Sequence, residues 1–197
     1  MLAHFMNDKE YLNEVINGDI HAANQRLAKL ESRDSAKTFI YALVYGAGDE
    51  KLGAVVNGTR KDGKALRNTF LTNLPSLKVL TEQVRRAASR GYLKGLDRRN
   101  IFIRSEHAAL NTLLQGGGAI VMKKALCILH ESIAREKLDA HFVANIHDEW
   151  QLEVVEKHAD QVGKLGVQAI EQAAIHFKLR CPLTGEYKIG DNWGETH

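Results

Sequence analysis

RDSAKTFIYALVYG, residues 33–46, sets Arg33, Lys37, Tyr41 and Tyr45 at every fourth position and closes on Gly46. Residues four apart share one face of an α-helix, so one stripe carries two cations and then two aromatics. At about 1.5 Å rise per residue, twelve residues span roughly 18 Å. That reach sets cations at a triphosphate and a ring near the sugar and base. Ser32 is a good N-cap, Ala36, Lys37, Ala42 and Leu43 are acceptable helix formers, and Gly46-Ala47-Gly48 is a stop. The competing reading is an amphipathic surface helix with Tyr41, Tyr45 and Phe39 in the core and Arg33 and Lys37 in water. Spacing alone favours that second reading, so the company the stripe keeps must decide.

Upstream, Leu2, Phe5, Met6, Leu12, Val15 and Ile16 follow helical spacing to a stop at Asn17-Gly18, and Asp19 caps a short helix with His21 in its first turn. With the helix at Arg33, that makes three in succession. Downstream, five glycines between Gly46 and Gly63 are loop and turn signals among short helices. Leu66, Phe70, Leu74, Leu77, Leu80 and Val84 then form an apolar seam that Pro75 divides into two helices. Gly91 to Arg104 reads as a hairpin, and a helix runs from about His107 to Arg135. Gly116, Gly117 and Gly118 lie inside it, each costing about 1 kcal/mol relative to alanine, which implies a close approach or a bend. Phe142 to Ile146 is a strand candidate, and Trp150, Leu152 and Val154 alternate in a second. A helix over about 157–178 and a tail containing Trp193 complete an α+β chain without repeats.

The 197 residues suffice for one core or two small subdomains. A formal charge of +3 does not itself imply nucleic acid, but the distribution is uneven. Arg85, Arg86, Arg90, Lys94, Arg98, Arg99 and Arg104 are opposed only by Asp97 across that segment, which suits a phosphate backbone or, equally, a solvated charged face. Cys127 and Cys181 have neither CxxC nor zinc-finger spacing, so a disulfide framework and structural zinc are not indicated. No signal peptide opens the chain, and no stretch reads as long enough to span a bilayer. A soluble, cytoplasmic protein is expected.

His147, Asp148 and Glu149 stand between the two later strands. Adjacent carboxylates on a tight hairpin suit hard divalent cations such as magnesium, and two-metal phosphoryl transfer uses such groups. One hairpin supplies only part of that cage. Taken alone, an Asp-Glu pair at a turn is more often ordinary turn polarity, with His147 a capping or supporting residue.

Together these segments resemble the family A DNA polymerases typified by bacterial DNA polymerase I, most closely the replicative polymerases of short-tailed phages. DIH at Asp19 to His21, the motif Arg33, Lys37, Tyr41, Tyr45 and Gly46, the block HAALNTLLQGGGA from His107 to Ala119, and HDE occur in the family's order. The resemblance covers nearly the whole chain. It implies a helical fingers subdomain at 1–90 and a partial palm at 91–197, whose hairpin carries the HDE motif. It places His21, Arg33 and Lys37 on the incoming dNTP, with Lys37 also a candidate acid for pyrophosphate. Tyr41 would pack beside the sugar and Tyr45 would border the nascent pair. His107, standing where much of the family has arginine, would join Asn111, Gln115 and His147 on primer-template DNA. Asp148 and Glu149 would bind Mg2+ as catalytic carboxylates.

The family's other palm motif, D-x-S-x-x-E-L-R, supplies a further metal-binding aspartate and has no counterpart here, and neither thumb nor exonuclease is recognisable. The expectation is a carboxy-terminal polymerase piece that acts with a separate amino-terminal fragment. Exposed apolar surface where the absent palm strands would pair is expected with it. The alternatives are a non-catalytic DNA-binding remnant and a decayed gene fragment. Neither a membrane nor a further cofactor enters any of these readings.

Overall fold

The computed structural model describes residues 1–196. α1 (Leu2–Met6) ends on Asn7 in the left-handed region, and Asp8 caps α2 (Lys9–Asn17) by accepting from the Tyr11 backbone N–H at 3.0 Å. The apolar spacing predicted one helix across this stretch. Asn7 and Asp8 divide it, because each favours a helix end over a helix interior. Asp19 caps α3 (Ile20–Ala28) and Ser32 caps α4 (Arg33–Val44) through side-chain acceptors, as expected.

α5 (Asp49–Ala54) and α6 (Arg60–Asn73) pack on each other across glycines that the sequence assigned to loops and turns. A Cβ on Gly63, inside α6, would overlap the Asp49 carbonyl oxygen, so only glycine allows that approach. Arg67 locks the pair, its Nε 2.8 Å from Asp49 Oδ1 and its Nη2 donating to the Ala47 carbonyl at 2.7 Å. Pro75 opens α7 (Pro75–Ala88) at its first turn, where a missing N–H costs nothing. β1 (Tyr92–Lys94) and β2 (Asn100–Phe102) form the expected antiparallel hairpin. One 3-10 turn at Glu106–Ala108 leads into α8 (Ala109–Glu136), followed by β3 (Ala140–Ile146), β4 (Glu149–Val154), α9 (Ala159–His176) and α10 (Trp193–Thr196).

The chain forms two compact units, Met1–Gly116 and the residues from Gly117 onward. The division falls inside α8, whereas the sequence placed its subdomain boundary at residue 90. The β1–β2 hairpin sits with the first unit because α7 packs on β1 and Leu93 enters the same core as Val84 and Ala88. That core centres on Phe39 and Phe70, both fully buried and edge to face at 5.1 Å between centroids. Burying two large rings in this way is among the stronger stabilising arrangements for a helical unit.

In the second unit, Val121, Ala125, Leu129 and Ile133 of α8 and Val162, Ala169 and Ala173 of α9 are buried. Leu129 reaches Gly166, and Gln161 donates to Glu136 at 2.6 Å, so the two helices lie side by side. β3 and β4 pair antiparallel with an irregularity between Phe142 and Ala144. Among the described residues no third strand joins this ribbon. Val143 is 68% exposed beside a groove lined by Leu126, Cys127, His130 and Phe142.

One finding corrects the sequence reading of length. The segment Glu106–Glu136 is long and apolar enough, by those measures alone, to cross a membrane. Its apolarity serves packing: Leu113 and Leu114 are buried within the first unit, and Val121, Leu129 and Ile133 within the second. Two small hairpins among many helices give the α+β class that was expected.

Candidate active site

On α4 the buried face is Ala36, Phe39, Ile40 and Leu43, and the opposite face is the whole stripe. Arg33 and Lys37 are exposed, Tyr41 is 52% exposed and Tyr45 57% exposed. The amphipathic-core reading of the two tyrosines is thereby overturned. Phe39 and Tyr41 lie about 200° apart around a helix of 3.6 residues per turn, so one core cannot take both.

Arg33 is held from another helix. Its Nε lies 2.8 Å from Asp19 Oδ2, while Asp19 Oδ1 accepts the backbone N–H groups of His21 and Ala22 at 2.9 and 3.1 Å. The Arg33 bond, then the Ala22 N–H, hold the Asp19 carboxyl down at about 2, and the same pairing raises Arg33. Asp19 thus serves both as the N-cap that the sequence identified and as the brace for Arg33, which it did not. Lys37 makes no ion pair among the described residues. The His21 ring stands 6.5 Å from that of Tyr41, and its Nδ1 is buried without a hydrogen-bond partner. Such an atom is costly unless something else satisfies it.

At the far end of the stripe, Gly46 adopts φ +79°, and a Cβ there would overlap the His107 carbonyl oxygen. The helix terminus therefore abuts the turn that opens α8. Gln115 Nε2 donates to Tyr45 Oη at 3.2 Å across seventy residues of sequence. The exposed His107 side chain and half-buried Asn111 occupy the same stretch, and Asn111 Oδ1 is a second buried polar atom without a hydrogen-bond partner. His21, Arg33, Tyr41, Tyr45, Gln115 and Asn111 all belong to the first unit.

The second unit carries the carboxylates. Ile146 pairs with Glu149, leaving His147 and Asp148 as a two-residue turn with His147 at φ +53°. A β-carbon makes that conformation uncommon. Asp148 is exposed, whereas Glu149 Oε1 accepts from Trp193 Nε1 at 3.1 Å and also from Gln151 Nε2. Sequence reasoning assigned Trp193 no role, and a contact spanning forty-four residues leaves no periodic signal. Trp150 Nε1 is a further buried donor without a partner. Among the described residues, no group of three or more His, Cys, Asp or Glu is placed to hold a metal ion. Two adjacent carboxylates fit a hard cation by chemistry, but not by number.

Residues 1–195 match the family model described as DNA polymerase family A. The chain belongs to that family. Family A relatives include the DNA-directed DNA polymerases of Enterobacteria phage T3 and Escherichia phage T7, 39% and 38% identical over 221 aligned positions, each alignment taking in the whole of this chain and 31% of the relative. That of Escherichia phage Phieco32 is 40% identical over 95% of this chain and 32% of its own length. The chain thus spans about a third of these relatives. Among solved structures, the POL domain of Pol1 from M. smegmatis, in complex with DNA primer-template and dNTP, superposes with a TM-score of 0.80 at 22% identity. The match takes in 92% of this chain and 35% of that one, and it establishes the shared fold.

Proposed function

We propose that the chain is the carboxy-terminal fingers and partial-palm portion of a template-directed DNA polymerase, with residues 1–90 as fingers and 91–197 as palm. The exposed stripe of α4, with Arg33 braced by Asp19, is the observation that carries this reading. Arg33, Lys37 and His21 bind the triphosphate of an incoming dNTP through charged and polar donors. Lys37 is also the group that gives a proton to the departing pyrophosphate. Tyr41 packs beside the sugar, and Tyr45, tied to Gln115, borders the nascent pair. Asn111 and Gln115, with His107 and His147, meet the primer-template. Minor-groove acceptors are nearly the same for every base pair, so amide donors there test pair shape and not sequence.

Asp148 and Glu149 would hold magnesium, Asp148 being the freer of the two. Bound there, the ion would stabilise charge on the reacting phosphates. Its remaining ligands come from polypeptide outside these 197 residues, and an amino-terminal polymerase fragment is the proposed partner. The two-stranded β3–β4 ribbon, exposed Val143 and the adjoining groove support that partner, because a lone hairpin is marginal in water. The proposed location is the host cytoplasm, where phage relatives such as those of T3 and T7 would replicate DNA.

The test uses the chain assembled with the rest of a family A polymerase domain. Lys37→Ala is expected to reduce dNTP incorporation about 10- to 150-fold, the loss of one charged hydrogen bond, with primer-template affinity unchanged. Equal incorporation by the variant would sink the reading. The alternative, a DNA-binding remnant without catalysis, draws on the observation that no three-residue metal cluster occurs among the described residues. It predicts DNA binding with no incorporation in any assembly.

A further inference from the structure

The outer face of the β1–β2 hairpin has no part in the reading above. Its register pairs Tyr92 with Phe102 and Lys94 with Asn100, so these four side chains share one face. Leu93 and Ile101 take the other: Leu93 is buried, and Ile101 Cδ1 would lie 2.9 Å from a Cβ on Gly116. The hairpin is therefore seated on its own unit by one face and open on the other.

On the open face Phe102 is 77% exposed, more than any other Phe, Tyr or Trp among the described residues. Tyr92 beside it is bracketed by cations, with the Arg90 guanidinium 5.7 Å and the Lys94 ammonium 5.6 Å from its ring centroid. Lys94 Nζ also donates to Asn100 Oδ1 at 2.6 Å, which holds it along the face. Arg104 is exposed two residues beyond Phe102. Arg85, Arg86 and Arg99 are paired with Glu106, Glu82 and Asp97. In contrast Arg90, Lys94, Arg98 and Arg104 make no ion pair among the described residues.

An uncovered ring amid unpaired cations matches one partner chemistry. A single strand of nucleic acid offers flat base faces for stacking and a phosphate at every step, and aromatic-plus-cationic grooves bind it on those terms. A duplex hides its base faces and would use the cations alone. A membrane surface would call for a broader apolar patch than one ring.

We propose that this face is a stacking platform for single-stranded DNA, with Phe102 taking one unpaired base and Arg90, Lys94 and Arg104 the flanking phosphates. The polymerase reading supplies only the choice of DNA; the platform itself stands on the hairpin.

The experiment measures anisotropy of fluorescein-labelled oligothymidylate and of an abasic oligonucleotide of equal length, bound to the 197-residue chain at fixed salt. The wild-type chain is expected to bind oligothymidylate about 5- to 150-fold more tightly than the abasic strand. Phe102→Ala removes most of that preference and leaves abasic binding unchanged. Phe102→Trp restores it, with added fluorescence that is quenched on binding. Lys94→Ala weakens both strands alike and lowers the salt slope by about one. Equal binding of the two strands by wild type, or a preference that survives Phe102→Ala, overturns the platform. Failure of the Lys37→Ala incorporation test would leave these outcomes as they are, so the two proposals fail separately.

Discussion

The α4 stripe and the β3–β4 turn both present charge to solvent, but they are supported in different ways. Arg33 is fixed by a carboxylate fourteen residues away on the neighbouring helix, and the far side of α4 is set into the core through Phe39 and Ile40. Asp148 stands on a two-residue turn of a ribbon that no third strand joins among the described residues. Its neighbour Glu149 accepts from Gln151 and from the tail tryptophan. A helix can present cations using local caps and one buried face. A carboxylate pair for hard cations needs further oxygen ligands to complete its shell. The proposed nucleotide-binding stripe is accordingly held by its own unit, and the proposed metal-binding turn lacks comparable support among the described residues.

The most severe way to break this contrast is Asp148→Ala. In an assembled polymerase it is expected to lower incorporation on the order of a thousandfold or more, several kcal/mol of lost charge stabilisation, while assembly measured by co-elution is retained. Incorporation near the wild-type rate would show that the hairpin carries no metal. Phe39→Ala addresses the other region. A fully buried ring edge to face with Phe70 should cost about 3–5 kcal/mol in denaturant unfolding of the chain. A loss below about 1 kcal/mol would mean that α4 is not anchored as described.

What the sequence made legible follows the range of each signal. The period of the stripe, the Ser32 and Asp19 caps and Pro75 at the start of α7 are all local, and each was read correctly from a few residues. The break at Asn7-Asp8 was also local, yet an unbroken apolar spacing masked it. Gly53 and Gly63 looked like loop punctuation because glycine signals a turn and a close helix crossing with the same letter. Which way Tyr41 and Tyr45 face was undecided by spacing, since a stripe and its opposite face have the same period. It took Phe39 meeting Phe70 to orient the helix. The contacts Arg33–Asp19, Gln115–Tyr45 and Trp193–Glu149 join segments with no shared periodicity, so they came only from the fold.

The smallest expected effect sharpens the contrast at its best-supported point. Asp19 has a folded pKa of about 2, below its ordinary 3.8, chiefly through the hydrogen bond from Arg33 and then the N–H groups of Ala22 and His21. A group whose pKa is depressed on folding stabilises the native state above its unfolded pKa, and that contribution fades as pH falls through the folded value. The contribution of Asp19 is therefore complete above pH 3.8 and is lost on acidification towards about 2. Because the pair is exposed, salt screens it and its size is modest. Asp19→Asn keeps an oxygen to cap α3 but removes the charge that draws Arg33 in. Thermal unfolding of the two proteins should differ slightly near neutral pH at low salt and converge as pH falls through this window. Added salt should narrow the neutral gap, which an uncharged cap would not do. Parallel pH profiles would mean that Arg33 swings free in solution, and the stripe would then be no better braced than the carboxylate turn.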